Sequence, residues 1–181
     1  MNREGVALAE TDGAGVDERT QQLKGWTAGV RSMHIAHGIA AERCARLARV
    51  TGVLVAVLTA VVGTALFVSA AASQTTSVRY TAAGLSLLAA TLGVAQVALN
   101  FPELAIRHQA AFVEYGKLRR DLDMIWMLGG ASTVTADWLR DFRTGWSAAE
   151  AAAPVLPVRL RRTARRLIDL ADSRDARNAK T

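Results

Sequence analysis

Three histidines are the first residues in this chain whose type and spacing could do chemistry: His34 and His37, three apart, and His108. On a helix the first two share a face, where paired imidazoles can hold a metal ion or pass a proton. A zinc site needs further ligands, and no carboxylate or second cysteine completes a set on that face, so no metal is expected. Helix packing or polar capping is the ordinary role left to them. Cys44 is the single cysteine. It forms no internal disulfide and reads as a small packing residue in a reducing compartment. Serine, histidine and acidic residues occur without the spacing of a nucleophilic triad. Leu128-Gly129-Gly130-Ala131 is a helix stop, with no Lys-Ser or Lys-Thr pair to make it a phosphate loop. No enzymatic function and no cofactor are expected.

A second group of polar side chains lies inside two uncharged apolar runs, residues 50–72 and 81–101. At 100 degrees per residue, Gly52, Ala56, Thr59, Gly63 and Ala70 fall on one narrow face of the first run. Ser86, Ala89, Gly93, Gln96 and Asn100 do the same on the second. Helices in lipid associate by close backbone approach, so these faces either pack on each other within one hairpin or leave the Ser86, Gln96, Asn100 stripe lining water between subunits.

The elements that must position these residues are helices throughout. At 1.5 Å per residue the two runs span about 35 and 32 Å, against a hydrocarbon core of about 30 Å, so both are predicted to cross a bilayer. A signal peptide is excluded for residues 1–20, which carry Glu4, Glu10, Asp12, Asp17 and Glu18 and no apolar stretch. The connector, residues 73–80, holds only Arg79, whereas Arg31, Arg43, Arg46 and Arg49 precede the first span and Arg107, Lys117, Arg119 and Arg120 follow the second. Basic residues of short loops stay on the cytoplasmic side, so both termini are predicted to be cytoplasmic and the protein to be a multi-pass protein of the inner membrane. The absence of any ionisable residue in the spans argues against a proton relay, a voltage sensor or an ion-coupled transporter. Two spans cannot enclose a path in one copy, so conduction would require a homo-oligomer.

Outside the spans, residues 1–20 read as a disordered tail. A helix over 21–49, with Leu23, Trp26, Val30, Met33, His37, Ala41, Cys44 and Ala48 on one face, is predicted to run on into the first span. Pro102 either starts a new helix, 102–128, or kinks a continuing one. The apolar face of that helix reads Leu104, His108, Ala111, Phe112, Tyr115, Leu118, Leu122 and Ile125, and Gly129 and Gly130 end it. Thr133 or Thr135 caps a helix over 135–152, whose Trp138, Phe142, Trp146 and Ala149 share a side. Pro157 opens the last helix, 158–172, and 173–181 reads as a second disordered tail.

The net charge of +6 is concentrated at the C-terminal end, where Arg159, Arg161, Arg162, Arg165 and Arg166 cover a helix whose other side carries Leu160, Ala164, Leu167, Ile168 and Ala171. That basic face is either simply solvated or lies on anionic lipid. Nucleic acid is not expected as a partner, because beside a bilayer the anionic leaflet is nearer.

The order of these parts resembles the SLATT domains of bacterial conflict systems. The resemblance rests on the helix with His34, His37 and Arg43, the short two-span hairpin, and Arg107-His108-Gln-Ala-Ala-Phe-Val-Glu-Tyr115-Gly-Lys-Leu118-Arg-Arg. Ala153-Pro154-Val-Leu-Pro157-Val and the basic helix complete it. It covers residues 21–172 and implies an all-α membrane protein, with cytoplasmic helices before and after the hairpin. It also implies a stand-alone membrane effector of anti-phage or other conflict systems, permeabilising the membrane when a nucleotide signal or a nucleotide-sensing or nucleotide-synthesising partner triggers it. A different reading of the residues is a non-conducting anchor, whose Trp138, Phe142 and Trp146 face recruits a soluble partner.

Overall fold

The computed structural model of the chain describes the backbone of residues 3–71 and 76–178 and the side chains of residues 17–64, 77 and 80–178. The elements are α1 (Arg3–Ala71), α2 (Thr76–Leu99), α3 (Phe101–Leu128), a 3₁₀ turn (Gly130–Thr133), α4 (Ala136–Ala152) and α5 (Val158–Asn178). The fold class is all-α, with no strand among the described residues. The chain divides into two compact units. One comprises Met1–Ala40 with Arg107–Thr181, the other Ala41–Ile106.

Helix boundaries depart from expectation at both ends of the chain. α1 begins at Arg3, where a disordered tail over 1–20 was predicted, and α5 continues to Asn178 through most of the second predicted tail. An amphipathic face is the signal that sequence periodicity detects. A helix already nucleated by a packed segment needs none, because each further residue adds one hydrogen bond per residue fixed. Residues 1–2 and 179–181 of the predicted tails lie outside the described residues. The predicted connector over 73–80 is also shortened, since α2 begins at Thr76, and residues 73–75 of it are not described.

The first unit is built on the helix faces read from sequence. Leu23, Val30, Ala111, Tyr115, Leu118, Leu122, Ile125, Phe142 and Ala149 form one buried cluster of α1, α3 and α4. Trp26 stacks on Phe142 at 5.4 Å, Phe142 on Trp138 at 5.0 Å, and Trp146 meets Phe142 edge-on at 5.8 Å. Each such aromatic pair adds about 0.5–1.5 kcal/mol beyond its area burial. Trp126 Nε1 donates to Thr27 Oγ1 at 3.0 Å, and that hydroxyl donates in turn to the Leu23 carbonyl at 2.8 Å.

A second cluster was not foreseen. Ala36 and Ala40 of α1 are buried against Leu156, Leu160 and Ala164, so α1 has two packed faces. Pro154 and Pro157 make this possible. The Ala153 N–H closes α4 on the Ala149 carbonyl, the chain runs extended, and the Pro157 carbonyl accepts from Leu160 and Arg161 to start α5. Leu156, between the two prolines, is 6% exposed. An Arg31–Asp172 ion pair at 2.8 Å adds a partly exposed tie between α1 and α5, of the class that contributes about 0.2–1 kcal/mol.

In the second unit, α1 and α2 each contain a stretch long and apolar enough to cross a membrane. Large apolar side chains stand outward: Val53, Leu54, Val57 and Val61 on α1, and Leu87, Leu88, Val94 and Val97 on α2, between 45% and 81% exposed. α2 ends at Leu99, two residues before the predicted limit. Asn100 takes a left-handed conformation with φ 39° and its carbonyl accepts from Leu104. Asparagine tolerates that conformation better than most residues. Pro102 then occupies the first turn of α3, the first of its two predicted roles, where a missing N–H costs nothing. Cys44 is half-buried and free, and burial pushes its thiol pKa up.

Candidate functional site

Four of the positions on which the sequence resemblance rests converge on one seam between α1 and α3. His37 Nδ1 lies 3.0 Å from His108 Nδ1, with both rings buried, at 2% and 3% exposure. Two neutral imidazoles can share one hydrogen bond through the same atom only if their tautomers differ, one presenting Nδ1–H and the other a bare nitrogen. His37 also stacks on Tyr115, 5.5 Å between centroids and 14° from parallel. One turn earlier on α1, His34 Nδ1 is 2.9 Å from the Phe112 carbonyl. A carbonyl only accepts, so His34 is the donor, and its ring lies 4.0 Å above Phe112.

The rings fit because two glycines stand beneath them. A Cβ on Gly116 would lie 3.1 Å from His34 Cε1, and one on Gly38 would lie 3.1 Å from the Phe112 ring. The sequence pattern places Phe112 on the apolar face of its helix and gives neither glycine a contact. No spacing signals them, because each glycine's partner lies on the other helix, Phe112 for Gly38 and His34 for Gly116.

Electrostatically the seam holds its imidazoles neutral. Burial, reinforced by the neighbouring His108, lowers the His37 pKa to about 4, and burial also lowers that of His108. Burial lowers His34 as well; its hydrogen bond to Phe112 opposes this, while Arg119 and Arg120 act in the same direction as burial. Burial, with a smaller contribution from the Glu150 carboxylate, pushes the Tyr115 phenol up. His37 and His108 have each other as hydrogen-bond partners, and among the described residues no carboxylate hydrogen-bonds either ring. Among the described residues no three metal-ligating side chains cluster. The seam can bind α1 to α3, and can release them if it gains protons.

The remaining motif positions have other surroundings. Arg43 and Arg107 are exposed, and Pro154 and Pro157 shape the α4–α5 joint. Of the polar faces on the apolar helices, the one on α2 is turned toward α1: Ser86, Ala89, Gly93 and Gln96 are half-buried, and a Cβ on Gly52 would lie 3.5 Å from Gln96 Nε2. Ala56, Thr59 and Gly63 do not join Gly52 there. They are exposed, and after Gly52 the half-buried positions of the apolar run on α1 are, among the described residues, Val55, Leu58 and Val62. Asn100, predicted to share the stripe, instead sits in the α2–α3 joint and donates to Glu103. The side chain of Ala70 lies outside the described residues. Thr59, Ser86 and Thr91 donate to carbonyls of their own helices.

The aromatic face of α4, read as a surface for a soluble partner, is turned inward. Phe142 is 5% exposed, and Trp138 and Trp146 pack against the same cluster. No protein-family model, curated protein or solved structure matches the chain.

Proposed function

We propose that the chain is an integral membrane effector of a bacterial conflict or anti-phage system, of the SLATT type. In this reading the hairpin of residues 50–72 and 81–101 crosses the inner membrane with both termini in the cytoplasm. Copies assemble to permeabilise the membrane when a nucleotide signal or a partner protein acts on the cytoplasmic helices. The observation that carries it is the uncovered apolar surface of α1 and α2 in the second unit, with no charge in either run. Contiguous apolar surface of that extent demands a partner or a lipid phase. The hydroxyls of Thr59, Ser86 and Thr91 are satisfied within their own helices, as a hydrocarbon phase requires. Among the described residues, the half-buried Gln96 and Ser86 put polar side chains on the face of α2 turned toward α1. The exposed small residues Ala56, Thr59 and Gly63 leave a face on which a second copy can approach closely.

Inducible expression in a bacterial host tests the two levels of this reading separately. The protein is expected to stay in the membrane fraction through an alkaline carbonate wash and, when phage infection of the expressing host supplies its trigger, to collapse the signal of a membrane-potential dye and arrest growth. Release by carbonate overturns the integral-membrane reading. Retention with potential and growth intact overturns permeabilisation and leaves a non-conducting anchor.

A further inference from the structure

A cleft of about 440 Å³ opens among α1, α4 and α5 in the first unit, away from the histidine seam. Its floor is the small-residue side of α1, where Gly29 lets the Trp146 indole approach so closely that a Cβ would lie 3.3 Å from the ring. Ser32 lines it at 9% exposure, and among the described residues no protein group hydrogen-bonds its hydroxyl, which is left open to the cleft. That is unusual in this chain. The hydroxyls of Thr27, Thr59 and Ser86 all donate to a carbonyl four residues back. On the opposite wall Arg161 and Arg165, one turn apart on α5, reach the cleft, and neither forms an ion pair with the described carboxylates, although Asp169 lines the same cleft.

We propose that this cleft binds a phosphate ester carrying an apolar or aromatic body. The phosphate sits between the Arg161 and Arg165 guanidinium groups, whose forked donors match phosphate oxygens. The Ser32 hydroxyl, which opens to the cleft, donates to an ester or phosphate oxygen. The body of the ligand lies over the small-residue floor against the Trp146 edge and Ile168. Asp169 limits the site to one anionic group, because a second would face its carboxylate, and it can accept from a hydroxyl or amine on the ligand. A phospholipid headgroup and a soluble phosphate ester share this chemistry. The proposal does not depend on permeabilisation.

The test uses the full-length protein in phosphatidylcholine nanodiscs and equilibrium dialysis against 2-naphthyl phosphate, whose own fluorescence reports the free probe. Saturable binding at one site per chain is expected, with inorganic phosphate competing. Arg161→Ala with Arg165→Ala weakens it by about ten-fold or more, as expected for losing charge-assisted hydrogen bonds, and Ser32→Ala weakens it by a smaller factor. Circular dichroism and thermal melting establish that these variants remain folded. Binding that is not saturable, or that is indifferent to the double arginine substitution in folded protein, overturns the proposal. Repeating the titration with phosphatidylglycerol added to the discs separates the two sources. Loss of probe binding supports the site and assigns it to a lipid headgroup, and unchanged binding supports the site and assigns it to a soluble ester.

Discussion

The sharing of one proton by His37 and His108 fixes how the seam responds to acid. At pH values above the ordinary imidazole value of 6.5 both folded and unfolded chains carry His37 neutral. Between there and about 4 the unfolded chain takes the proton and the folded chain does not. Stability is therefore fully present above this window, falls as pH drops through it, and levels off below. At about 1.4 kcal/mol per pH unit, His37 accounts for about 3 kcal/mol across the window. A protonated pair would also set two Nδ1–H groups against each other. Melting temperatures measured at pH 7 and pH 5 are expected to fall for the native chain, and the drop to shrink for His37→Gln. An equal drop in the variant refutes the assignment. The glycines beside the seam make a second prediction. Gly116→Val, whose Cβ meets His34, destabilises by about 1–3 kcal/mol through overpacking. Gly25→Ala meets nothing within 4 Å and stabilises by up to about 1 kcal/mol through helix propensity. Denaturant titration of both variants checks the contrast.

At the scale of elements, the sequence made some packing legible and concealed the rest for identifiable reasons. The inner face of α3 was readable because its large apolar residues recur at three and four, and His108, Ala111, Tyr115, Leu118, Leu122 and Ile125 are all buried. The second face of α1 was not, because Ala36 and Ala40 look like helix filler until Leu156 and Leu160, more than a hundred residues later, cover them. A projection assigns residues to a common face without fixing where that face points, which is why Gly52 meets Gln96 while Ala56, Thr59 and Gly63 face outward. Two substitutions separate these roles. Gly52→Leu forces α1 and α2 apart and is expected to lower the thermal stability of the hairpin. Gly63→Leu, with open space around it, leaves stability unchanged and, in the proposed oligomer, reduces cross-linking between copies. Equal effects of the two on stability would refute this division. The histidine seam was half legible: His34, His37, His108 and Tyr115 carried the resemblance, but nothing in their spacing disclosed that Gly38 and Gly116 admit the rings.

At the scale of the whole molecule, the two units divide the proposed tasks. One holds the ligand cleft and the acid-sensitive seam, and the other holds the apolar helices that would cross the bilayer. Chain order places Cys44 in the second unit, six residues before the first apolar run, and it is the only thiol the protein has. A fluorophore attached there is consequently present once per copy. Under single-molecule illumination, the number of discrete bleaching steps in one assembly then counts its subunits directly. Because burial raises the thiol pKa, coupling proceeds faster in mildly alkaline buffer, where more of the reactive thiolate is present.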